Sequence, residues 1–499
     1  MIRKYLKFKY ILPSFLVALF LSIDLESFFN QEILEKAFET MHTPLLFLVL
    51  FVVTLFLYFQ SSQLHFSKKN NAWNIISAIT IGLALTLGQG FAIDDSWSIY
   101  YSSTTGWVVF LLKWLGFASI TYDILRLILR ALYDKSFLKI KPLNWKPKLY
   151  QLFLIIFIPK LIAIIFFLPN AVIHYEGGSG PYNFGDLFHG WIIYLLMAIL
   201  QASLFSIFFT LTVGQLIRWK VPKWLSIGVL ITYSIAPIWL IASYDFTAEF
   251  LFFSILAILY FIFVHLINLR RKGSVAALFL IGLLMTVGYV ALRTESLYEY
   301  KYPNIAVQQI HRTYIKKSDS INPKIKNDLD LAFYSVNKAE EHFDSNYVTE
   351  SLKYDFEESL GRNPHRVFWS DWLALFKKYP LEYAQGFFGL NYQYYYPLNV
   401  DRNYYSKNQI SMADNYFNKI PVLNWLTNVG FYSLLLLFLF GYSVINKKGQ
   451  LIVAGIPLVI IWIFCLNSPV NGFLLYSFPI LAILPLYLGY FVYKNNSSK

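Results

Sequence analysis

Apolar residues in this chain come in long unbroken runs, not at alternate positions and not as one-sided helical stripes. Runs near 11–29, 43–60, 73–91, 106–130, 150–169, 190–214, 223–243, 249–267, 274–292, 422–444, 450–466 and 473–493 each have the length, about 17–25 residues, that lets a helix cross roughly 30 Å of hydrocarbon. The short alternating segments of an outer-membrane barrel are a different pattern. The expectation is an all-α polytopic membrane protein with about 12 transmembrane helices.

The connections between the runs alternate in character. One set reads RKYLKFK, FSKKNN, RALYDKSFLKIKPLNWKPK, RWKVPK, NLRRKG, NKKG and YKNNSSK; the other reads AIDDSWSIYYSSTTG, PNAVIHYEGGSGPYNFGDLFHG, SYDFTAE, a long insert from Arg293 to Ile420, and LNSPVNG. Short Lys/Arg-rich loops stay on the cytoplasmic side. Both termini are therefore expected in the cytoplasm, and the acids, histidines and tyrosines outside. The first run follows a basic stretch, as in a signal peptide. It continues into IDLESFF without a small-x-small cleavage pattern, and is read as a retained first helix.

The insert, on the order of 125 residues, is too long for a plain loop. Its opening stretch LYEYKYPNIAVQQIHRTYIKK sets Ile305, Val307, Ile310 and Tyr314 on one helical stripe and Gln308, His311 and Arg312 on other faces. A polar, helical middle follows, bounded by Asn-Pro at both ends. The last part carries Trp369, Trp372, Phe376, Tyr379 and Phe387, which suit an amphipathic helix pair lying in the membrane interface. The expected division is 1–147, an N-terminal four-helix region; 148–292, a transmembrane core with acidic outer loops; 293–420, a mainly helical extracytoplasmic domain; and 421–499, the closing helices.

Composition narrows the function. Hydrophobic residues make up 57% and charged residues 14% of the 499, too little polar surface for a soluble globule. The net charge of +13 would suggest nucleic acid in a soluble protein; here the basic loops account for much of it, and no nucleic-acid partner is expected. The single cysteine, Cys465, can form neither an intrachain disulfide nor a multi-cysteine metal site.

Several polar groupings can carry chemistry. Glu176 and Asp186 flank a glycine-rich turn, where a carboxylate can take a proton from a hydroxyl or bind a divalent cation, Mg or Mn, through oxygen. They equally suit ordinary solvated loop acids. His174 and His189 can donate to phosphate, but lack the spacing of a zinc site. Asp245 and Glu249 stand four residues apart at a helix start, where the helix dipole alone accounts for acids. Arg293, Lys301, His311 and Arg312 supply cationic donors suited to phosphate, or to headgroup anchoring. Tyr392, Tyr394, Tyr395 and Tyr396 offer faces for sugar or lipid, or an interfacial belt. Lys160 is an ionisable group within a span that can snorkel to the surface.

The order of these features over about Lys148–Tyr490 resembles the GT-C superfamily of membrane glycosyltransferases, in particular its large uncharacterised bacterial branch with a domain of unknown function. Tyr175-Glu176 resembles a Tyr-Asp on the family's first catalytic outer loop, with His189 near a His-His-Pro. Thr247-Ala248-Glu249 resembles a Thr-Lys-Asp that carries the second acid. IAVQQIHR is similar to a Gln-Gln-x-x-Arg segment, which puts Gln308, Gln309 and Arg312 in correspondence. FKKYPLEYAQGFFGLNYQYYYP and SPVNGFLLYSFP look like its outer-domain and closing-turn motifs. The chain departs from the pattern at Glu176, Ala248 and Leu475, where Asp, Lys and Arg are usual.

The resemblance implies a multi-pass enzyme of the bacterial cytoplasmic membrane that inverts the anomeric carbon while moving a sugar from a polyprenyl-phosphate donor to an envelope glycan or glycolipid. Glu176, with Asp186 as fallback, would be the general base. Glu249, Asp245 and His189 would position the acceptor or a cation. Arg312, His311, Lys301, Gln308 and Gln309 would bind the lipid phosphate, and Tyr392, Tyr394, Tyr395 and Tyr396 would line the sugar or lipid groove. The alternatives are a lipid-linked oligosaccharide flippase or other transporter, and a polysaccharide polymerase or ligase.

Overall fold

The computed structural model describes residues 8–22, 42–94, 104–133, 145, 147–175, 184–235, 248–268, 281–282, 285, 302–343, 348, 363–397, 428–467, 471–472 and 474–497. Among them every extended regular element is a helix. In chain order these are α1 (Phe8–Ser22), α2 (His42–Ser62), α3 (Lys68–Asp94), α4 (Thr104–Tyr133), α5 (Leu149–Tyr175), α6 (Phe184–Arg218), α7 (Lys223–Ile235), α8 (Ala248–Asn268), α9 (Asn304–Lys317), α10 (Pro323–Phe333), α11 (Val336–His342), α12 (Pro364–Lys378), α13 (Pro380–Asn391), α14 (Val429–Ile445), α15 (Gly449–Cys465) and α16 (Leu474–Ser497).

Among the described residues five helical stretches are long and apolar enough to cross a membrane: Leu45–Ser62, Lys68–Phe91, Thr104–Leu132, Ala198–Arg218 and Ser477–Asn495. Shorter apolar helices cover Phe8–Ser22, Leu149–Ile162, Ile255–Asn268, Val429–Ile445 and Gly449–Cys465. The molecule is thus an all-α protein compatible with several membrane crossings. Most of the apolar run at 274–292 lies outside the described residues.

By contact the chain groups into two units that cut across the four consecutive segments expected from sequence. The first comprises Met1–Arg130, Tyr289–Asn399 and Ile463–Phe473; the second comprises Ala131–Gly288, Val400–Trp462 and Leu474–Lys499. By contact the polar insert groups with the N-terminal helices.

In the first unit α1 packs on α2 through Tyr10 against Tyr58 and Phe59, and through Phe15 against Phe47 and Phe51. Trp114 of α4 donates to the Ile79 carbonyl of α3 at 2.9 Å, and Tyr122 donates to Asn71 Oδ1 at 2.7 Å. The insert forms a second, compact core around α9. Its boundaries are legible as local chemistry. Asn322 caps α10 by accepting from Lys324 N at 2.9 Å, with Pro323 in the first turn, where its missing N–H costs nothing. Ser335 caps α11 by accepting from Lys338 N. Pro380 ends α12 and opens α13 with Tyr379 alone between them. Both Asn-Pro pairs stand at helix starts.

The second unit is organised on α16. In its apolar stretch Ser477–Asn495, 83% of residues are buried, so this helix is surrounded by protein and not by lipid. Tyr233 of α7 donates to the Ala482 carbonyl at 2.6 Å, and Tyr260 of α8 donates to Ala454 of α15 at 2.8 Å. Lys160 does not snorkel. It is fully buried, and its ammonium donates at 2.7 Å to the carbonyls of Ile156 and of Tyr233, tying α5 to α7 beneath the Phe209 ring.

Candidate functional site

The polar row on α9 is the best-described of the sequence's candidate groupings. A one-sided stripe was expected here; in fact Ala306 through Tyr314 are buried on every face. The apolar face meets Leu329, Phe333 and Phe368. The polar face is covered by α12 and α13, whose own polar groups complete it. Gln309 accepts from Trp372 Nε1 at 2.9 Å and donates to the Tyr383 carbonyl at 3.1 Å. Arg312 donates through Nε and Nη2 to Gln385 Oε1 at 3.1 and 2.8 Å. His311 Nε2 donates to the Ala339 carbonyl at 2.7 Å, and its ring stacks on Phe333. Gln308 is buried at 2% exposure.

A cation in this position is affordable because its protons are hydrogen-bonded. Gly386 of α13 permits the close approach: a Cβ there would stand 3.1 Å from Gln309 Cα. The tyrosine hydroxyls nearby are kept protonated. Burial raises the Tyr383 pKa, with Asp371 adding to the effect, and burial together with Asp330 raises that of Tyr314. Asp371 of α12 is itself pushed up to about 6 by burial and by Asp328, against the opposing pull of Lys324.

A second seam joins the tyrosine-rich end of α13 to the turn after α15. Asn471 accepts from the Gln393 backbone N–H at 3.0 Å and donates to the Gly389 carbonyl at 3.2 Å. Asn304, at the start of α9, donates to the Asn467 carbonyl at 2.8 Å. Gly472 sits at φ +63°, and a Cβ there would run into the Gln393 side chain, so two constraints select glycine.

The tyrosines expected to line a sugar or lipid groove pack inward instead. Tyr392, Tyr394 and Tyr396 are no more than 4% exposed. Tyr392 stacks on Phe91 of α3, Tyr396 meets Gly88, and Tyr395 donates to the Phe388 carbonyl at 3.0 Å. They clamp the insert to α3 and α4. The α9 residues expected to bind lipid phosphate, Gln308, Gln309, His311 and Arg312, are likewise buried, and Gln309, His311 and Arg312 are hydrogen-bonded to their neighbours.

The other candidates are less fully described. Glu176, Asp245 and Lys301 lie outside the described residues. Asp186 and His189 fall in the first two turns of α6, and Glu249 is the second residue of α8; the side chains of these three lie outside the described set. Among the described residues no group of three or more His, Cys, Asp or Glu is arranged to hold a metal ion.

Sequence reasoning passed over Gln385 and Gln393 as individual residues. Its signal for them was indirect: polar amides embedded in aromatic stretches, where only a partnered amide is tolerated.

Residues 295–499 match the model of a family of unknown function, DUF6020. No curated protein and no solved structure gives a match. The matched span holds α9 to α16.

Proposed function

We propose that the chain is a GT-C-type glycosyltransferase of the bacterial cytoplasmic membrane, moving a sugar from a polyprenyl-phosphate donor to an envelope glycan or glycolipid at the outer leaflet. The apolar runs of the sequence are read as about 12 crossings. The basic loops hold both termini in the cytoplasm, and the insert is extracytoplasmic.

The supporting observation is the seam. Three stretches that resemble the family's outer motifs, IAVQQIHR, the α12–α13 segment and SPVNG, are far apart in sequence yet hydrogen-bond to one another through Gln309, Gln385, Gly389 and Asn471. Glu176 is assigned as general base, drawing the proton from the acceptor hydroxyl as the new bond forms. Asp186 is its substitute, and Glu249, Asp245 and His189 position the acceptor or a divalent cation. Arg312 and His311, turned inward, become positioning residues. Lys301, just ahead of α9, is the cation assigned to the departing lipid phosphate, whose charge grows in the transition state.

A flippase is favoured by one observation, the fully buried Lys160 within an apolar helix. Its ammonium is held by two backbone carbonyls, an arrangement that locks helices together.

Purified protein in vesicles with a labelled polyprenyl-phosphate sugar distinguishes the two. Transfer to an envelope acceptor, lowered about 10²–10⁴-fold by Glu176→Gln at unchanged abundance, supports the enzyme. Movement of the label across the bilayer without transfer overturns it; full activity of the Glu176→Gln, Asp186→Asn double variant overturns the assignment of the base. Arg312→Ala should lower abundance and turnover together.

A further inference from the structure

The first four helices contain a groove that the glycosyltransferase reading does not use. It has a volume of about 400 Å³ and lies between α1, α2, α3 and α4, within the range of small-molecule sites, ~300–1,000 Å³. Its walls are mostly apolar, and its mouth is flanked by the exposed side chains of Ile75, Ile79 and Leu115. α2, which forms one side, is only 11% buried over Leu45–Ser62. In a membrane, such a face looks onto acyl chains.

One end of the groove is polar. Asp123, 7% exposed within the long apolar helix α4, lines it and accepts from Ser61 Oγ. Arg126 turns elsewhere, to Tyr122 Oη at 2.8 Å and to the Leu64 carbonyl. Ser14, 1% exposed, also lines the groove, and its hydroxyl has no hydrogen-bond partner among the described residues. Asn74 lies one turn before Ala78, which lines the groove from α3. It is fully buried with neither amide atom matched among the described residues.

Buried polar atoms without partners cost about 1–3 kcal/mol each, and an intramembrane carboxylate is rare without a function. The unmatched groups are the Ser14 hydroxyl, which donates and accepts, and the Asn74 amide, with one donor group and one acceptor; the charged side chain that lines the groove is the Asp123 carboxylate. A phosphate would be repelled by Asp123. A hydroxyl donates to the Asp123 carboxylate, and an ester carbonyl of the same lipid accepts from Ser14 Oγ.

We infer that this groove binds a neutral lipid with a free hydroxyl at its polar end, of the diacylglycerol class, its chain lying along the wall of α3 and α4, its hydroxyl on Asp123 and an ester carbonyl toward Ser14. The site stands independently of the sugar-transfer proposal.

The test uses the full-length protein in phosphatidylcholine vesicles with a photoreactive, alkyne-tagged diacylglycerol, and the corresponding phosphatidic acid as the anionic control. Expected is crosslinking to peptides of α1–α4, stronger with diacylglycerol and competed by unlabelled diacylglycerol. Ser119→Trp, which fills the mouth from an exposed position, should lower labelling about tenfold with unchanged thermal unfolding. Ile79→Trp, also exposed, gives a second block from the opposite wall. Asp123→Asn should shrink the preference for diacylglycerol over phosphatidic acid. Equal or stronger labelling by phosphatidic acid overturns the assignment. So does uniform labelling of all lipid-facing helices, or labelling indifferent to both tryptophans.

Discussion

At the scale of single residues, the polar groups of α9 are held by partners on α12 and α13, and Asp371 of α12 is a buried carboxyl. Its carboxyl is raised from 3.8 to about 6 by burial and by Asp328, so the folded state holds this proton more tightly than the unfolded chain does. The contribution of this group to stability is therefore largest at low pH, falls as pH rises between those two values, and stays reduced above them. Asp371→Asn should raise the apparent melting temperature by ~2–4 °C at pH 7.5, an advantage that fades as the pH approaches 4. Thermal unfolding in detergent across that range is the measurement; a constant offset at all pH values would mean that Asp371 does not feel its neighbours as a charge. Arg312 is one of the α9 groups so held. Gln385 occupies its Nε and Nη2, so a side chain that looks in sequence like an outward phosphate donor is an internal strut.

At the scale of elements, the clamp between α3 and the tyrosine-rich turn depends on Gly88. A Cβ at Gly88 would lie 2.6 Å from Tyr396 Cβ, close to backbone and unable to swing aside. Gly88→Ala should therefore cost ~1–3 kcal/mol by overpacking, read as lower thermal stability and faster proteolysis in the 363–397 segment. Unchanged protection there would show that the clamp is not what holds the insert. The elements themselves were largely legible beforehand. Apolar runs near 43–60 and 106–130 became α2 and α4 with boundaries moved by a few residues, because length and apolarity dominate such a signal. The two Asn-Pro pairs marked helix starts because proline fixes φ and lacks the N–H that a first turn leaves unpaired. The candidate site was less legible. Periodicity assigned Gln308, His311 and Arg312 to open faces of α9, since a sequence window sees one helix at a time and cannot see α12 and α13 closing over it. The tyrosines near 394 were read as groove or belt for the same reason: what covers them comes from α3, some three hundred residues earlier in the chain.

At the scale of the whole molecule, neither contact unit is a continuous piece of chain. The first takes its N-terminal helices, the insert and the turn at Ile463–Phe473 from three separate stretches. Separating the chain after Asn399 into two co-expressed fragments should give a stable product only when both are made, because the first fragment lacks Asn467 and Asn471. Each fragment expressed alone should be degraded, and a pulse-chase comparison reads this directly. An N-terminal fragment as long-lived alone as in the pair would show that the closing turn contributes little.

The bonds from Asn471 to Gly389 and Gln393 span 82 and 78 residues. Their consequence lies in the timing of biosynthesis. The tyrosine-rich end of the insert emerges with its partner for the Gly389 carbonyl still untranslated, and must wait through α14 and α15 before that bond can form. During that interval it is exposed to quality-control proteases, and a pause in translation before Asn471 would lengthen the exposure. The rate at which α14 and α15 are made and inserted thus sets how long an incomplete surface persists.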